Sequence, residues 1–439
     1  MQYFIDNVLR HLRKEKDKMI SIDEMRAVLE RMGKDALSAS YALAAASTAQ
    51  KQGCLRKMAD FVMADVNTIL KANAEDMKAG AEKGLSPAML DRLRLDEKRL
   101  AGMADGIRQI ASQHDPVGRL LSENTRPNGL VIRKVSVPIG VIGIIYESRP
   151  NVTGDAAAIC IWAGNTVILR GGSEAIHSNC AIAAALSRAA KAVGFPETVV
   201  QLVPFTEHEA VNLLVKMDRY LSLVIPRGGE RLIRAVVEAA TMPVIKHYKG
   251  VCHIFVDDGA DIAQALKIIV NAKCQRPGVC NTIENLLIDR KIAAEFIPQF
   301  ASVMRREKVE LRGDDDYRAF DTEAVPATEE DFYTEYMALI LSCRVVDGVE
   351  AAVAHINQYG SHHSDSILSK NAAHIEYFFG HVDSSTVYAN ASTRFTDGGE
   401  FGMGAEIGIS TDKIHARGPV GADELTSYKY LVTGAGQIR

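Results

Sequence analysis

Two thiols lie six residues apart in the stretch NAKCQRPGVCNTIENLLI: Cys274 and Cys280. Their local settings differ. Cys274 closes the apolar helical pattern IAQALKIIVNAKC. Cys280 follows the helix-breaking RPG and precedes an apolar, strand-like IENLLI, which places it in a loop. A thiol with the ordinary pKa of about 8.5 is only a few per cent thiolate at neutral pH, so a nucleophilic cysteine needs an accessible, polar and electropositive place. A loop just past a broken helix can point a side chain into a cleft. Local sequence alone leaves an inert thiol as the plainer reading. The seven cysteines fall at 54, 160, 180, 252, 274, 280 and 343, irregularly and with no paired C-x-x-C. That is no disulfide framework in a chain of this length. A reducing cytoplasm is expected, and no metal site.

A second set of residues suits an anionic cofactor. The G-x-G-x-x-G fingerprint of an ordinary dinucleotide fold is missing, and GVIG at 140–143 lies within a strand, where its glycines mark close packing. Two glycine pairs follow strands instead. ILRGGSEA carries Arg170, Gly171, Gly172 and Ser173; VIPRGGERL carries Arg227, Gly228 and Gly229. Each pair sits where a strand gives way to a helix, so backbone N–H groups and the helix dipole favour an anion there. Taken singly, each is equally well a tight turn with a solvated arginine. Two such turns in one sheet point to a phosphate-bearing cofactor.

These residues need elements to position them. Up to about residue 127 the pattern is helical: SIDEMRAVLERMG opens on a capping box, Ser21 to Glu24, and is expected to stop at Gly33. From about 130 the period changes. LVIRKVSV alternates like an exposed strand, and IGVIGIIY is a continuous apolar run, as a buried strand is. Helices and strands then alternate through TVILR, TVVQLV, LSLVIP and MPVIK. A second alternation begins near 251 with VCHIFVD, IENLLID, ALILSCRVVDG, SDSILSK and SSTVYAN. Right-handed βαβ units and two parallel sheets follow, joined near 246–251, with ligands expected at the carboxyl ends of the strands. The acidic RGDDDYRAFDTEAVPATEEDF reads as a surface loop. The 439 residues allow about two to three domains of roughly 100–200 residues. A net charge of −4 argues against a nucleic-acid binder, and no apolar run approaches the roughly 18 residues of a membrane span. The N-terminal MQYFIDNVLRHLRKEKDKM reads as a surface helix rather than a secretory signal.

NAKCQRPGVCNTIENLLI, GVIGIIYESRPNVTGDAAAICIWAGNTVILRGGSEAIHSN and FGMGAEIGISTDKIHARGPVGADELTSYKYLV together closely resemble the gamma-glutamyl phosphate reductase family of the aldehyde dehydrogenase superfamily, from about residue 35 to the end. The resemblance implies an α/β, aldehyde dehydrogenase-like fold of two Rossmann-like parallel-sheet domains and a small β oligomerisation element. It divides the chain into an N-terminal helical extension, 1–34; an NADP-binding domain, 35–127 and 138–250; a catalytic domain, 251–417; and oligomerisation strands, 128–137 and 418–439. It implies NADPH-dependent reduction of L-glutamyl 5-phosphate to L-glutamate 5-semialdehyde with release of phosphate, the second step of proline biosynthesis from glutamate. The superfamily nucleophile falls on Cys280. The asparagine that helps hold the oxyanion falls on Asn151 in SRPNV; without the resemblance, Asn151 reads as a turn residue after Pro150. The carboxylate that grips the nicotinamide ribose falls on Glu335, otherwise a surface acid. Arg170 stands where the superfamily has an adenosine-ribose lysine, and its guanidinium suits the 2'-phosphate of NADP.

One departure from the superfamily is chemical. Its hydrolysing members carry a glutamate that activates water against the thioester. Here the matching stretch is HYKG, 247–250, and the position is His247. Without that base the thioester waits for hydride or phosphate. Lys246 and Lys249 add positive charge nearby. Cations for the substrate's phosphate and alpha-carboxylate are sought in Arg149 and Arg417, with Ser148 and His415 assisting. A homodimer or higher oligomer and association with glutamate 5-kinase are further expectations. Two other readings stay open on the residues: a cofactor-free cysteine hydrolase pairing Cys280 with one of twelve histidines, and a scaffold that kept the fold without the chemistry. The paired glycine turns count against the first.

Overall fold

The computed structural model describes residues 20–439, in two compact units. One comprises the chain up to Lys246 with Gly402–Gly408 and Val420–Arg439; the other comprises His247–Phe401 and Ile409–Pro419. The N-terminal segment 1–19, for which a surface helix was expected, lies outside the described residues. Among the described residues no helix is long and apolar enough to cross a membrane.

The first unit begins with the helices Ile22–Ala44, Thr48–Ala64, Val66–Glu82, Pro87–Leu93 and Glu97–Ala111. The capping box forms: Glu24 N donates to Ser21 Oγ at 3.2 Å, and Ser21 N donates to Glu24 Oε2 at 3.0 Å. The expected stop at Gly33 does not occur, because the helix continues to Ala44. Gly33 serves close approach instead. A Cβ there would lie 2.7 Å from Met217 Cε and 2.8 Å from the Tyr220 ring. The helix is strapped to the sheet beneath it by Thr166 Oγ1, which donates to Ala36 O at 3.1 Å, and by Gln201 Nε2, which donates to Met32 O at 2.8 Å. No element boundary therefore falls at residue 34.

Six strands follow: β1 (Leu120–Thr125), β2 (Val131–Pro138), β3 (Val141–Tyr146), β4 (Thr166–Arg170), β5 (Val200–Leu202) and β6 (Leu223–Arg227). The last four make a parallel sheet in the order β5-β4-β3-β6. Every residue of β3 and β4 is buried, which is why both read as unbroken apolar runs. Gly143 lets β3 pass its neighbours, since a Cβ would meet Leu221 Cδ2 at 2.8 Å. The helix Asn151–Trp162 is apolar all round and buried, as a core helix is. MPVIK is not a full strand: it makes one bridge, Val224 to Val244, and its Pro243 accepts from Val224 N in place of the donor that proline lacks. β1, β2 and the C-terminal strand Thr426–Thr433 form a separate antiparallel sheet, with Leu120, Leu121, Tyr428, Tyr430 and Val432 exposed on its outer strands.

The second unit holds seven strands: β7 (Cys252–Val256), β8 (Ile283–Asp289), β9 (Glu310–Gly313), β10 (Val325–Pro326), β11 (Ile340–Val346), β12 (Ser364–Leu368) and β13 (Thr386–Ala389). All pair in parallel, in the order β10-β9-β11-β8-β7-β12-β13. The helix Arg290–Arg306 covers one face with Phe296, Phe300 and Met304. The acidic segment expected as a surface loop is instead an edge of this core. Tyr317 in it is fully buried, and its acids bind arginines: Asp316 to Arg290 at 2.7 Å and Asp331 to Arg312 at 2.7 Å. Pairing is what allows so acidic a stretch to pack.

Candidate active site

In the second unit Cys280 lies in the turn between the helix Ile262–Cys274 and β8, half-buried. Gly250 passes directly over it. A Cβ at residue 250 would come within 1.9 Å of the Cys280 carbonyl oxygen, so the glycine of HYKG is required by space. Cys252 Sγ donates to that same carbonyl at 3.2 Å. The flanks are fixed as well. Asn281 Nδ2 donates to Thr396 O at 2.9 Å, and the Asn281 carbonyl accepts from Thr393 Oγ1 at 2.6 Å. Thr282 Oγ1 donates to Arg276 O at 2.8 Å, and Lys273 Nζ donates to Ile283 O at 3.0 Å. The sulfur thus stands on a backbone held from both sides.

Glu335 is brought to this loop: its Oε1 accepts from Gly250 N at 3.0 Å. It is half-buried, not a free-standing surface acid. His247 Nδ1 lies 2.8 Å from Ile409 O, a carbonyl that can only accept, so Nδ1 carries a hydrogen. His363 is fully buried, with Nδ1 2.8 Å from Ser364 Oγ and no hydrogen-bond partner at Nε2. Burial, and next the neighbouring His247, push His363 down to about 3, so it is a neutral imidazole. The two rings meet edge to face with centroids 5.7 Å apart, and a ring nitrogen of each lies within 4.8 Å of the other and of Cys280 Sγ. Arg394 is electrostatically coupled to Cys280, held below its usual value chiefly by burial and next by Arg276. Lys249 Nζ is turned to Tyr333 O at 2.9 Å. Burial raises Cys54 and Cys180 to about 12, raises Cys160, Cys252 and Cys343 further, and raises Cys274.

In the first unit the candidate cofactor residues converge on the ends of β3, β4 and β6. Gly171 and Gly172 have no room for a side chain. At Gly171 a Cβ would lie 2.1 Å from Asn179 Nδ2, and at Gly172 it would lie 3.2 Å from Ser148 N. Arg170 is not a solvated arginine. It is buried, and Nη2 donates to Thr206 O at 2.9 Å, while burial pulls its pKa down. Three buried polar atoms here, Arg170 Nε, Glu174 Oε2 and Asn179 Nδ2, have no hydrogen-bond partner among the described residues. This mixed set of donors and acceptor fits a ligand bearing hydroxyls and phosphates. At the second glycine turn an anion is already present, but it belongs to the chain: Gly229 N donates to Glu147 Oε2 at 3.1 Å. Gly228 leaves room for that carboxylate, 2.6 Å from where its Cβ would be. Arg227 packs over Gly408, whose Cβ would lie 2.7 Å from Nη1. Ser173 is exposed.

Ser148 is buried beside this cradle, and Arg149 and Asn151 are exposed. Asn151 is the first residue of its helix, and its Nδ2 donates to Asp155 Oδ2 at 3.2 Å. Burial pushes Asp155 up to about 6, opposed by that bond. Arg417 and His415 lie in the second unit. Arg417 Nη2 donates to Asp383 Oδ1 at 2.7 Å, and Lys413 meets the same carboxylate at 2.5 Å. Those two bonds, Lys413 first, hold Asp383 down at about 2. His415 is exposed with φ of +70°, at a tight turn.

Sequence reasoning missed His363, Arg394, Asn179 and Asp155. None lies in a pattern: His363 and Arg394 are 83 and 114 residues from the thiol that they approach in space (363 − 280 and 394 − 280). Gly250 ends the HYKG stretch, and only its packing over the Cys280 carbonyl reveals what it does.

Comparison with known proteins supports one grouping. A model of the aldehyde dehydrogenase family matches residues 17–327. Gamma-glutamyl phosphate reductase of Geotalea daltonii is 52% identical over 411 residues, covering 94% of this chain and 98% of its own. That of Moorella thermoacetica is 53% identical over 407 residues, covering 93% and 97%. Among solved structures, gamma-glutamyl phosphate reductase of Thermotoga maritima aligns with a TM-score of 0.92 at 45% identity, over 94% of this chain and 99% of that one. An acetylating aldehyde dehydrogenase of Geobacillus thermoglucosidasius shares the fold, with a TM-score of 0.68 at 16% identity over 96% of this chain and all of that one, 100%.

Proposed function

The chain belongs to the gamma-glutamyl phosphate reductases of the aldehyde dehydrogenase family, and from that premise we propose which of its residues carry the reaction. The enzyme reduces the small molecule L-glutamyl 5-phosphate to L-glutamate 5-semialdehyde in proline biosynthesis, acting through a cysteine and a nicotinamide cofactor. Cys280 is the nucleophile. Its thiolate attacks the acyl carbon, the carbon–phosphate oxygen bond breaks, inorganic phosphate leaves, and a thioester remains on Cys280. When bound, the reduced nicotinamide supplies the hydride that takes this thioester to the aldehyde oxidation level. The Cys280 backbone N–H and Asn151 Nδ2 hold the oxyanion that each addition generates. Nδ2 carries two hydrogens, so donating one to Asp155 fixes the amide and keeps the second for the oxyanion. Arg276 and Arg394 favour the thiolate and the phosphate. His247, with Nδ1 donating to Ile409 O, stands where a hydrolysing member has a carboxylate base, so the thioester is spared hydrolysis.

We assign the cofactor cradle to Arg170, Gly171, Gly172 and Ser173, with Arg227, Gly228 and Gly229 as its flank and Glu335 at the nicotinamide ribose. NADPH is the proposed form, supported by the Arg170 Nε left unpartnered beside the turn. Substrate charges are assigned to Arg149 and Arg417, with Ser148 and His415 beside them. The exposed apolar residues of the three-stranded antiparallel sheet support a homo-oligomer, an edge that pairs between copies. Thiols without disulfide partners support a reducing cytoplasm, and glutamate 5-kinase is the proposed partner.

The observation that carries the reading is the setting of Cys280: a half-buried thiol on a turn pinned by Gly250 and Cys252, with His247 and His363 within 4.8 Å and Arg394 in electrostatic reach. The test runs the reaction backwards. Glutamate semialdehyde, phosphate and NADP should give a rise in the near-ultraviolet absorbance of reduced nicotinamide. Cys280→Ala should lower that rate by about 10⁴-fold or more while the protein stays folded. A Cys280→Ala enzyme that keeps its rate removes the proposal, and a faster reaction with NAD than with NADP removes the assignment of Arg170.

A further inference from the structure

We propose that Cys280, His247 and His363 form a binding site for a borderline-soft divalent cation, zinc above all, that silences the enzyme by capping its thiolate. The donor set is one thiolate and two imidazoles, which suits zinc and leaves a fourth position for water. Their ligand atoms already lie within 4.8 Å of one another. Tetrahedral zinc at about 2.0–2.3 Å from its ligands needs them roughly 3.5 Å apart, so side-chain rotations of about an ångström close the site. The observation that points to a ligand is His363. It is fully buried, yet its Nε2 has no hydrogen-bond partner among the described residues, a costly state for a polar atom.

The outer contacts are those that metal-bound histidines use. Such a ring donates its second N–H to a carbonyl or hydroxyl, which fixes the tautomer and leaves the other nitrogen's lone pair for the ion. His247 Nδ1 donates to Ile409 O at 2.8 Å, and His363 Nδ1 lies 2.8 Å from Ser364 Oγ, a hydroxyl able to accept from it when the metal takes Nε2. Ser364 Oγ in turn lies 2.6 Å from Thr396 Oγ1, so that orientation is anchored. On binding, the Cys280 S–H bond breaks, a sulfur–zinc bond forms, and the proton leaves to solvent; no electrons move. A hydrolysing relative with glutamate in place of His247 would lack one imidazole. The exchange that spares the thioester from water is therefore also the one that builds the site. Binding follows from the geometry alone, whereas inhibition rests on the reading of Cys280 as nucleophile.

Cobalt(II) reports the two claims separately. The chelator-washed full-length enzyme, titrated with Co2+, should develop a thiolate-to-cobalt charge-transfer band in the near ultraviolet that saturates at one equivalent and is bleached by Zn2+. Cys280→Ser should abolish the band. His363→Gln should weaken Co2+ binding by about tenfold or more. Because a buried substitution can unfold a protein, wild-type enzyme alkylated at Cys280 with iodoacetamide provides the same test and should also show no band. No thiolate band, or a band that survives alkylation of Cys280, overturns the site. A band with a proportional fall in turnover, reversed by EDTA, supports both claims. A band with turnover unchanged sustains the site and overturns Cys280 as the nucleophile.

Discussion

In the first unit the candidate cofactor residues leave the carboxyl ends of β3, β4 and β6, whereas in the second unit Gly250, Cys280, Glu335 and His363 all stand before the amino ends of β7, β8, β11 and β12. Those four strands are neighbours in the sheet, in the order β11-β8-β7-β12. The ends of a parallel sheet differ electrically. Past a carboxyl end the chain enters the N-terminus of the next helix, with unpaired N–H groups and the positive end of the macrodipole. That is where Asn151 begins its helix and where the glycine turns lie, suited to an anion held by backbone. At an amino end the chain arrives from a helix C-terminus, as at Cys274 just before the thiol loop. Carbonyls point there, and a thiolate gains nothing from the dipole. Side-chain cations have to supply the field, and Arg276 and Arg394 are present. On the proposed assignments the first unit offers the cofactor its glycine-turn backbone together with Arg170, and the second offers the thiol on a braced turn; Asn151 and Glu335 are the two side chains that cross this division.

The same substitution, glycine to alanine, separates the two ends. Gly250→Ala puts a methyl within 1.9 Å of the Cys280 oxygen, against backbone that cannot yield without moving the sulfur. A misplacement of about 1 Å at a reacting atom costs about 100-fold, so kcat should fall by about that factor, well beyond any rise in cofactor KM passed on through the Gly250–Glu335 bond. Steady-state kinetics with NADPH varied at saturating acyl phosphate, or with NADP in reverse, reads this directly. An unchanged kcat would break the division between ends.

Gly171→Ala should act on the other parameter. Its methyl meets Asn179 Nδ2 at 2.1 Å, a side-chain amide that can turn, but one placed to face the cofactor. Losing one such contact is worth about 1.4 kcal/mol, a tenfold rise in cofactor KM, with kcat within about twofold. Equilibrium titration of NADPH fluorescence measures the same loss without turnover. If kcat collapses while affinity holds, the turn after β4 serves chemistry rather than recognition.

How much of this the sequence disclosed follows from the kind of signal each feature leaves. Two parallel sheets were legible because fully buried strands such as β3 and β4 leave continuous apolar runs between helical periods. Cys280 stood out by its position after Arg276, Pro277 and Gly278. The order of strands was not legible: β11 pairs β8 across an intervening β9 and β10, and pairing depends on surfaces far apart in the chain. Gly33 was misjudged because a glycine that admits Tyr220 and a glycine that ends a helix look alike in one dimension. The acidic segment was misjudged because composition cannot show that Asp331 will find Arg312. His363 left no mark at all, since a buried imidazole two strands from the thiol loop has no spacing to betray it.

The smallest effect tests electrostatics at the carboxyl end. Asp155 sits in the helix that Asn151 opens, and burial pushes its carboxyl up to about 6, with the Asn151 amide opposing. A carboxyl whose folded pKa lies above its unfolded value binds its proton more tightly when folded. Its contribution to stability is full below about pH 4 and is lost as pH rises through about 6. Wild type should therefore carry a penalty at pH 8 that is absent at pH 4. A shift of about two units corresponds to at most about 3 kcal/mol, and solvent reaching the half-exposed side chain reduces that to about 1 kcal/mol. Asp155→Asn removes the titration and keeps an oxygen to accept from Asn151 Nδ2. Thermal melts should show the variant more stable than wild type by about 1–2 °C at pH 8 and equal to it at pH 4. Its kcat should stay within about threefold, because the amide of Asn151 remains oriented. A variant less stable than wild type at pH 8 would mean that the ionised carboxylate is held by the helix N-terminus more strongly than burial disfavours it, and the backbone field at this end would then be the larger of the two.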